Sequence, residues 1–121
     1  CARAGARVLA TDVDELALAA TRRGAQHAGL QVETARFDVC GAAPLPAADL
    51  VVAADLLYEP ALAVALARRV TEAVLAGARV VIGDPGRVGR AAFLEQLGGT
   101  LRVAFVPVVV GEHRADVAVL G

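Results

Sequence analysis

The chain has 121 residues, a mass of 12.3 kDa and a formal net charge of −1, which suits one domain and leaves no basic footprint for a nucleic-acid backbone. Hydrophobic residues make up 57% and charged residues 21%, enough to bury a core and too apolar for disorder. That core is built from Ala, Val and Leu: aromatics are 3%, Met and Trp are absent, and every fixed cation is Arg.

The elements alternate along the chain. Arg7–Thr11 is a short β-like run that ends against Asp12. Asp14–Gly29 reads as a helix: Asp14 can cap it, Glu15 sits in its first turn, Leu16, Ala19 and Ala20 give a 3–4 spacing, and Gly29 can close it. Gln31–Phe37 alternates as a strand does, and Gly41–Ala48, with two prolines, is loop. Leu50–Ala54 is a continuous apolar run, as expected for a strand covered on both faces. Glu59–Ala76 is the clearest helix: Pro60 fits its first position, Leu62, Leu66, Val70 and Leu75 supply a stripe, and Gly77 ends it. Val80–Gly83 is another buried strand, and Val88–Leu97 a helix broken by Gly98 and Gly99.

The end differs. Leu101–Val110 and Ala115–Leu120 are both β-rich and only "GEHR" separates them, too little for a parallel crossover, so they must be antiparallel neighbours. Pro107 implies a bulge or an edge position in the first. The pattern predicts an α/β fold with a mostly parallel sheet that ends in an antiparallel hairpin.

Several function classes lose support. No apolar run approaches the ~18 residues that span a bilayer, and no cationic leader precedes an apolar segment. Cys1 and Cys40 form no disulfide or metal pattern, which predicts a reducing, cytoplasmic setting. His27 and His113 lack partners at metal-ligand spacing, so no metal is expected.

Three predicted strand tips carry acids: Asp12 in "ATDVD", Asp38 in "RFDVC" and Asp55 in "AADLLYE". Ligands of doubly wound sheets sit at these carboxyl ends. A ribose-binding acid should follow a glycine-rich loop by about 20 residues. Asp12 has eleven residues before it, with one glycine, Gly5.

The three acidic tips and the closing hairpin resemble the class I, seven-β-strand methyltransferases that use S-adenosylmethionine. "DLLY", Asp55–Tyr58, resembles the DxxY motif of the protein lysine methyltransferases of that fold. "GDPGR", Gly83–Arg87, is similar to a segment of the branch that modifies the electron-transfer flavoprotein β subunit, also called nicotinamide-N-methyltransferase-like. The resemblance covers essentially the whole chain, 1–121, as a partial methyltransferase domain. It implies a Rossmann-like sheet lacking its first strand and the glycine-rich loop after it, with "CARAGA" as the end of the following helix. A fragment of a longer protein, or a truncated reading frame, is expected.

By the same resemblance, Asp12 would take both ribose hydroxyls, with Val13 beside it. Asp38 would accept from the adenine amino group, with Phe37 and Val39 near the ring. Ala54 would touch the cofactor, and Asp55 and Tyr58 would line the acceptor pocket as the catalytic pair. The implied reaction is methyl transfer from S-adenosylmethionine to an amine, foremost a protein lysine, otherwise a small amine. A carboxylate can fix the arriving ammonium, and a Tyr can add a hydrogen bond or cation–π contact. No nucleic-acid or membrane partner is implied, and a homo-oligomer remains open. The 121-residue chain by itself is expected to be weakly active or inactive.

Plainer readings stand beside these. Asp12 can simply precede the helix, Asp38 can make an Asx-turn, Asp55 can be a turn residue, and Asp84-Pro85-Gly86 is a standard turn sequence. Two other readings of the whole are a fragment of an NAD-dependent oxidoreductase, with Asp12 in the same ribose role, and a non-catalytic remnant or interaction module. Strand order separates the first of these from a methyltransferase. Exposed apolar surface and concentration-dependent association would mark the second.

Overall fold

The computed structural model describes all residues, Cys1–Gly121, and divides into two compact units, Cys1–Ala43 and Pro44–Gly121. Each is described by itself.

The first unit is a right-sized β-α-β repeat. A 3-10 turn over Ala2–Ala4 closes on Gly5 in the left-handed conformation, φ 84°. Strand β1 (Leu9–Asp12) and strand β2 (Glu33–Arg36) pair in parallel, Leu9 opposite Glu33 and Asp12 opposite Arg36. Helix α1 (Glu15–His27) connects them. It begins where the sequence says it must: the Asp14 carboxylate accepts from the Leu16 N–H at 2.8 Å. Its buried anchor is Leu18, whereas Leu16 is exposed, as are Ala19 and Ala20. The helix turns Leu18 and the half-buried Ala25, seven residues on, to the same face, so the expected Leu16 stripe looks outward.

The second unit holds β3 (Leu50–Ala54), α2 (Pro60–Leu75), β4 (Arg79–Asp84), α3 (Arg90–Leu97), β5 (Val103–Val110) and β6 (His113–Leu120). The sheet order is β3-β4-β6-β5, with β3 and β4 parallel and β6 antiparallel to both neighbours. The hairpin thus exists, closed by a two-residue loop, Gly111-Glu112, in which Gly111 takes the positive φ of 62° that such a turn demands. β5 lies at the sheet edge, which is where Pro107, lacking an N–H, can be accommodated. An antiparallel strand inserted between β4 and β5 counts against the NAD-oxidoreductase reading, whose domains continue with parallel units.

One face of this sheet carries the core. Val80, Ile82, Ala118 and Leu120 pack under the helices with Ala63, Leu66, Val70, Phe93 and Leu97, each no more than 4% exposed. The α2 stripe therefore runs through Leu66 and Val70 as expected, but alanines complete it, and Leu75 is 77% exposed. Small side chains let α2 and α3 approach closely. α3 starts at Arg90 instead of Val88, because Gly89 is committed to a tight contact described below.

The other sheet face is more open, with half-buried residues in its middle strands and exposed ones beside them. Ladder register aligns Val52, Val81, Val119 and Ala104 in one row and Ala54, Gly83, Val117 and Val106 in the next. Val52 is 58% exposed and Val106 49%. The expectation that β3 is covered on both faces fails here: its burial alternates, Ala53 inward and Val52 outward.

Candidate functional site

The residues singled out from the sequence fall into two groups, one in each unit. In the first unit, Asp12 ends β1 and Asp38 follows β2. The Phe37 N–H donates to the Asp12 carbonyl at 3.0 Å, which extends the parallel ladder to the two tips. Each carboxylate also shapes its own turn. Asp12 Oδ1 accepts from the Asp14 N–H at 2.9 Å, and Asp38 Oδ1 accepts from the Cys40 N–H at 2.8 Å. The Asx-turn read for Asp38 is thus realised, and Asp12, which precedes the helix as its plainer reading has it, makes a similar turn; each turn uses one oxygen of an exposed carboxylate. Phe37 is buried, Val39 half-buried and Val13 exposed. A pair of exposed acids on adjacent strand tips, with an apolar residue either side of the second, fits a nucleoside: a diol and an exocyclic amine are hydrogen-bond donors, and the ring is flat and apolar.

In the second unit, Ala54 ends β3, Asp55 follows it, and Tyr58 lies in the turn before α2, 56% exposed. Leu57, between them, is buried and fixes the turn. Asp55 has φ 56°, making it the single non-glycine residue with positive φ. Asp tolerates this conformation better than most residues, but it costs energy and is found where the surroundings impose it. Here the Asp55 N–H donates to the Gly83 carbonyl at 2.9 Å. On the side-chain end, Arg87 Nε donates to Oδ1 at 2.6 Å and Arg87 Nη2 to Oδ2 at 2.8 Å. Hydrogen bonding from Arg87 holds the Asp55 carboxyl below its ordinary value; desolvation opposes this and the guanidinium charge assists it. The pair's contribution to stability is therefore full above the ordinary aspartate value of about 3.9 and is lost as pH falls through the lower folded one.

Two features of this end of the sheet are missed by the sequence reading: Asp84 reads there only as a turn residue, and Gly89 is not singled out. Asp84, the last residue of β4, is 1% exposed, so it is far more than a turn former. Arg90 clamps it: Nε donates to Asp84 Oδ2 at 2.5 Å, Nη2 to the Asp84 carbonyl at 3.1 Å and Nη1 to Asp116 Oδ2 at 2.8 Å. Asp116 hydrogen bonding first, then Asp84, raises the Arg90 pKa. The guanidinium also lies 5.2 Å from the Phe105 ring centre. The second feature is Gly89, whose N–H donates to the Leu57 carbonyl at 2.8 Å and ties the turn after β4 to the turn after β3. An apolar concavity of about 260 Å³, lined by Pro44, Leu45, Pro46, Val51 and Ala78 among others, lies at the opposite, N-terminal end of β3 and β4. No group of three His, Cys, Asp or Glu side chains converges as a metal site, and no helix is long and apolar enough to cross a membrane.

Parallel strands, connecting helices and a closing antiparallel hairpin make this a Rossmann-like α/β fold. Solved structures match that fold over nearly the whole chain. The magnesium protoporphyrin IX methyltransferase ChlM of Synechocystis PCC 6803, with bound S-adenosylmethionine, matches 98% of this chain and 61% of its own at a TM-score of 0.69 and 18% identity. The N-methyltransferase NodS of Bradyrhizobium japonicum WM9, with S-adenosylhomocysteine, matches 94% of this chain and 65% of its own, TM-score 0.68, 17% identity. The tRNA (uracil-54, C5)-methyltransferase of Pyrococcus abyssi, also with S-adenosylhomocysteine, matches 99% of this chain and 30% of its own, TM-score 0.71, 18% identity. The chain thus spans less than two thirds of the length of these relatives, and the likeness is one of fold. Neither a protein-family model nor a curated protein matches the sequence.

Proposed function

We propose that this protein takes part in S-adenosylmethionine-dependent methyl transfer to an amine, with a protein lysine as the foremost acceptor and a small amine as the other. The observation that carries the reading is the set of exposed acids at the carboxyl ends of parallel strands, Asp12 and Asp38 in one unit and Asp55 in the other, on this fold. The cofactor supplies an electrophilic methyl group on a sulfonium. Asp12 accepts from the ribose hydroxyls, with Val13 against the sugar. Asp38 accepts from the adenine amine, with Phe37 and Val39 bordering the ring. Ala54 borders the cofactor. Asp55 and Tyr58 receive the amine and orient it. The ammonium would first lose a proton to solvent, and its lone pair would then displace the thioether, the methyl–sulfur bond breaking as the methyl–nitrogen bond forms. Such in-line displacement depends mostly on positioning, so a strong base is not required. The three matched enzymes act on a porphyrin, on a tRNA uracil and on nitrogen, so the fold alone selects no acceptor.

Titrating S-adenosylhomocysteine into the protein should release heat and protect the first unit against proteolysis. Asp12→Asn keeps the turn to the Asp14 N–H but loses the charge, and should weaken binding about tenfold. Absence of both heat and protection would rule the reading out.

One observation favours a second reading, an interaction module. The sheet face that carries Val52, Val106 and Val119, 58%, 49% and 42% exposed, groups apolar side chains on neighbouring strands. Sedimentation across a hundredfold concentration range should then show self-association that Val119→Asp reduces. A strictly monomeric wild type would remove this reading.

A further inference from the structure

Both oxygens of Asp55 are already engaged. Arg87 meets them through two near-parallel bonds of 2.6 and 2.8 Å, the fork geometry in which guanidinium matches carboxylate best. An ammonium approaching this tip therefore meets a neutral pair, not a free carboxylate. Nor is Arg87 a loose surface arm. Its own N–H donates to Asp84 Oδ1 at 3.0 Å, Gly86 before it has φ 96°, and Gly89 after it is bonded to Leu57. The guanidinium is thus delivered to Asp55 by a turn held on both sides. At the same time the two side chains are 46% and 54% exposed. Ion pairs that wet are weak, so this one can be exchanged.

We propose that Arg87 is a specificity-determining residue: in the free protein it is the counter-ion of Asp55, and an acceptor reaches the carboxylate only by exchanging its ammonium for the guanidinium. This deepens the amine-acceptor reading and rests on it. An ammonium is a compact, strongly hydrated charge that cannot reproduce the two-bond fork. A small free amine thus exchanges poorly. An ammonium carried on a larger body, whose other contacts supply the difference, exchanges well. The substrate class selected is a side-chain amine presented on a macromolecular surface.

The test uses n-butylammonium as the probe, followed by the amide signals of Asp55 and Tyr58. Removing the competitor in Arg87→Gln should tighten n-butylammonium binding roughly threefold to fivefold, the range that an exposed ion pair can cost. Arg87→Lys keeps the charge without the fork and should fall between. Adding Asp55→Asn to Arg87→Gln should cancel the gain. Carbon NMR should show the Asp55 carboxyl titrating higher in Arg87→Gln than in the wild type. A pair that only staples the two turns together predicts instead equal or weaker n-butylammonium binding in both variants, which would overturn the proposal. So would loss of the fold in both, because an exchangeable pair cannot be required for folding. None of these readouts needs the cofactor. Failure of S-adenosylhomocysteine to bind removes the methyl-transfer reading and leaves the exchange standing, while an indifferent n-butylammonium titration removes the exchange alone.

Discussion

Arg90→Met should destabilise the protein by about 3 kcal/mol, read as a fall in the urea midpoint at unchanged slope. Methionine keeps the length and apolar stem of the side chain, so the loss isolates the guanidinium. Asp84 is 1% exposed and would keep one donor, the Arg87 N–H at 3.0 Å. That residual bond places the cost at the low end of what breaking a buried pair incurs. The effect has a second source. Ladder register sets Asp84 directly opposite Asp116 on the neighbouring strand, and like charges so placed repel. Arg90 bridges both, with 25% of its side chain exposed. Arg90→Lys should recover little, since one ammonium cannot span three acceptors. Removing all three charges together, in Arg90→Met with Asp84→Asn and Asp116→Asn, should restore most of the stability. A single Arg90→Met variant within about 0.5 kcal/mol of wild type would show that solvent already screens the cluster.

What was legible in the sequence and what was not follows the range of the forces involved. Asp14 caps α1 and Gly111 turns the hairpin through atoms two or three residues away, and both features can be read locally. The order of elements followed too, because Gly and Pro punctuate it at Gly29, Pro60, Gly77 and Gly98. Burial was less legible. Leu16, Val52 and Leu75 read as core by type, but the position of the sheet decides which side of an element is covered, and all three face outward. Least legible were the ion pairs. Arg87 reaches Asp55 across 32 residues and Arg90 reaches Asp116 across 26. Those distances close only after β3, β4 and β6 have taken their register. One signal was available: acids at the end of the apolar run "VVIGD" and inside "RADVAVL" cannot both be buried without a cation. The acids at the tips were visible in the sequence; the arginines that occupy them were not.

Gly89→Ala is expected to cost about 2 kcal/mol, although its backbone would welcome the substitution. At φ −76° and ψ −8° alanine fits without strain and would even restrict the unfolded chain. The obstacle is space. A Cβ there would stand 2.6 Å from the Leu57 carbonyl oxygen, 2.9 Å from the Ala63 Cβ and 3.1 Å from the Glu59 carbonyl oxygen. Two of those atoms are main chain and cannot swing aside, so the turns after β3 and β4 must separate. Gly86→Ala makes the useful contrast: nothing lies within 4 Å of its Cβ, and its φ of 96° is the whole difficulty. Both variants lose stability, but only Gly89→Ala should shift the amide signals of Leu57 and Tyr58. An unchanged melting point together with unmoved Leu57 and Tyr58 signals would refute the close-approach argument. The consequence for the site is direct. Leu57 stands between Asp55 and Tyr58, and the 2.8 Å bond from Gly89 holds the two turns close enough for Arg87 to reach Asp55. Prising them apart should loosen that pair, and the Asp55 carboxyl should then titrate nearer its ordinary value even though Arg87 is still present.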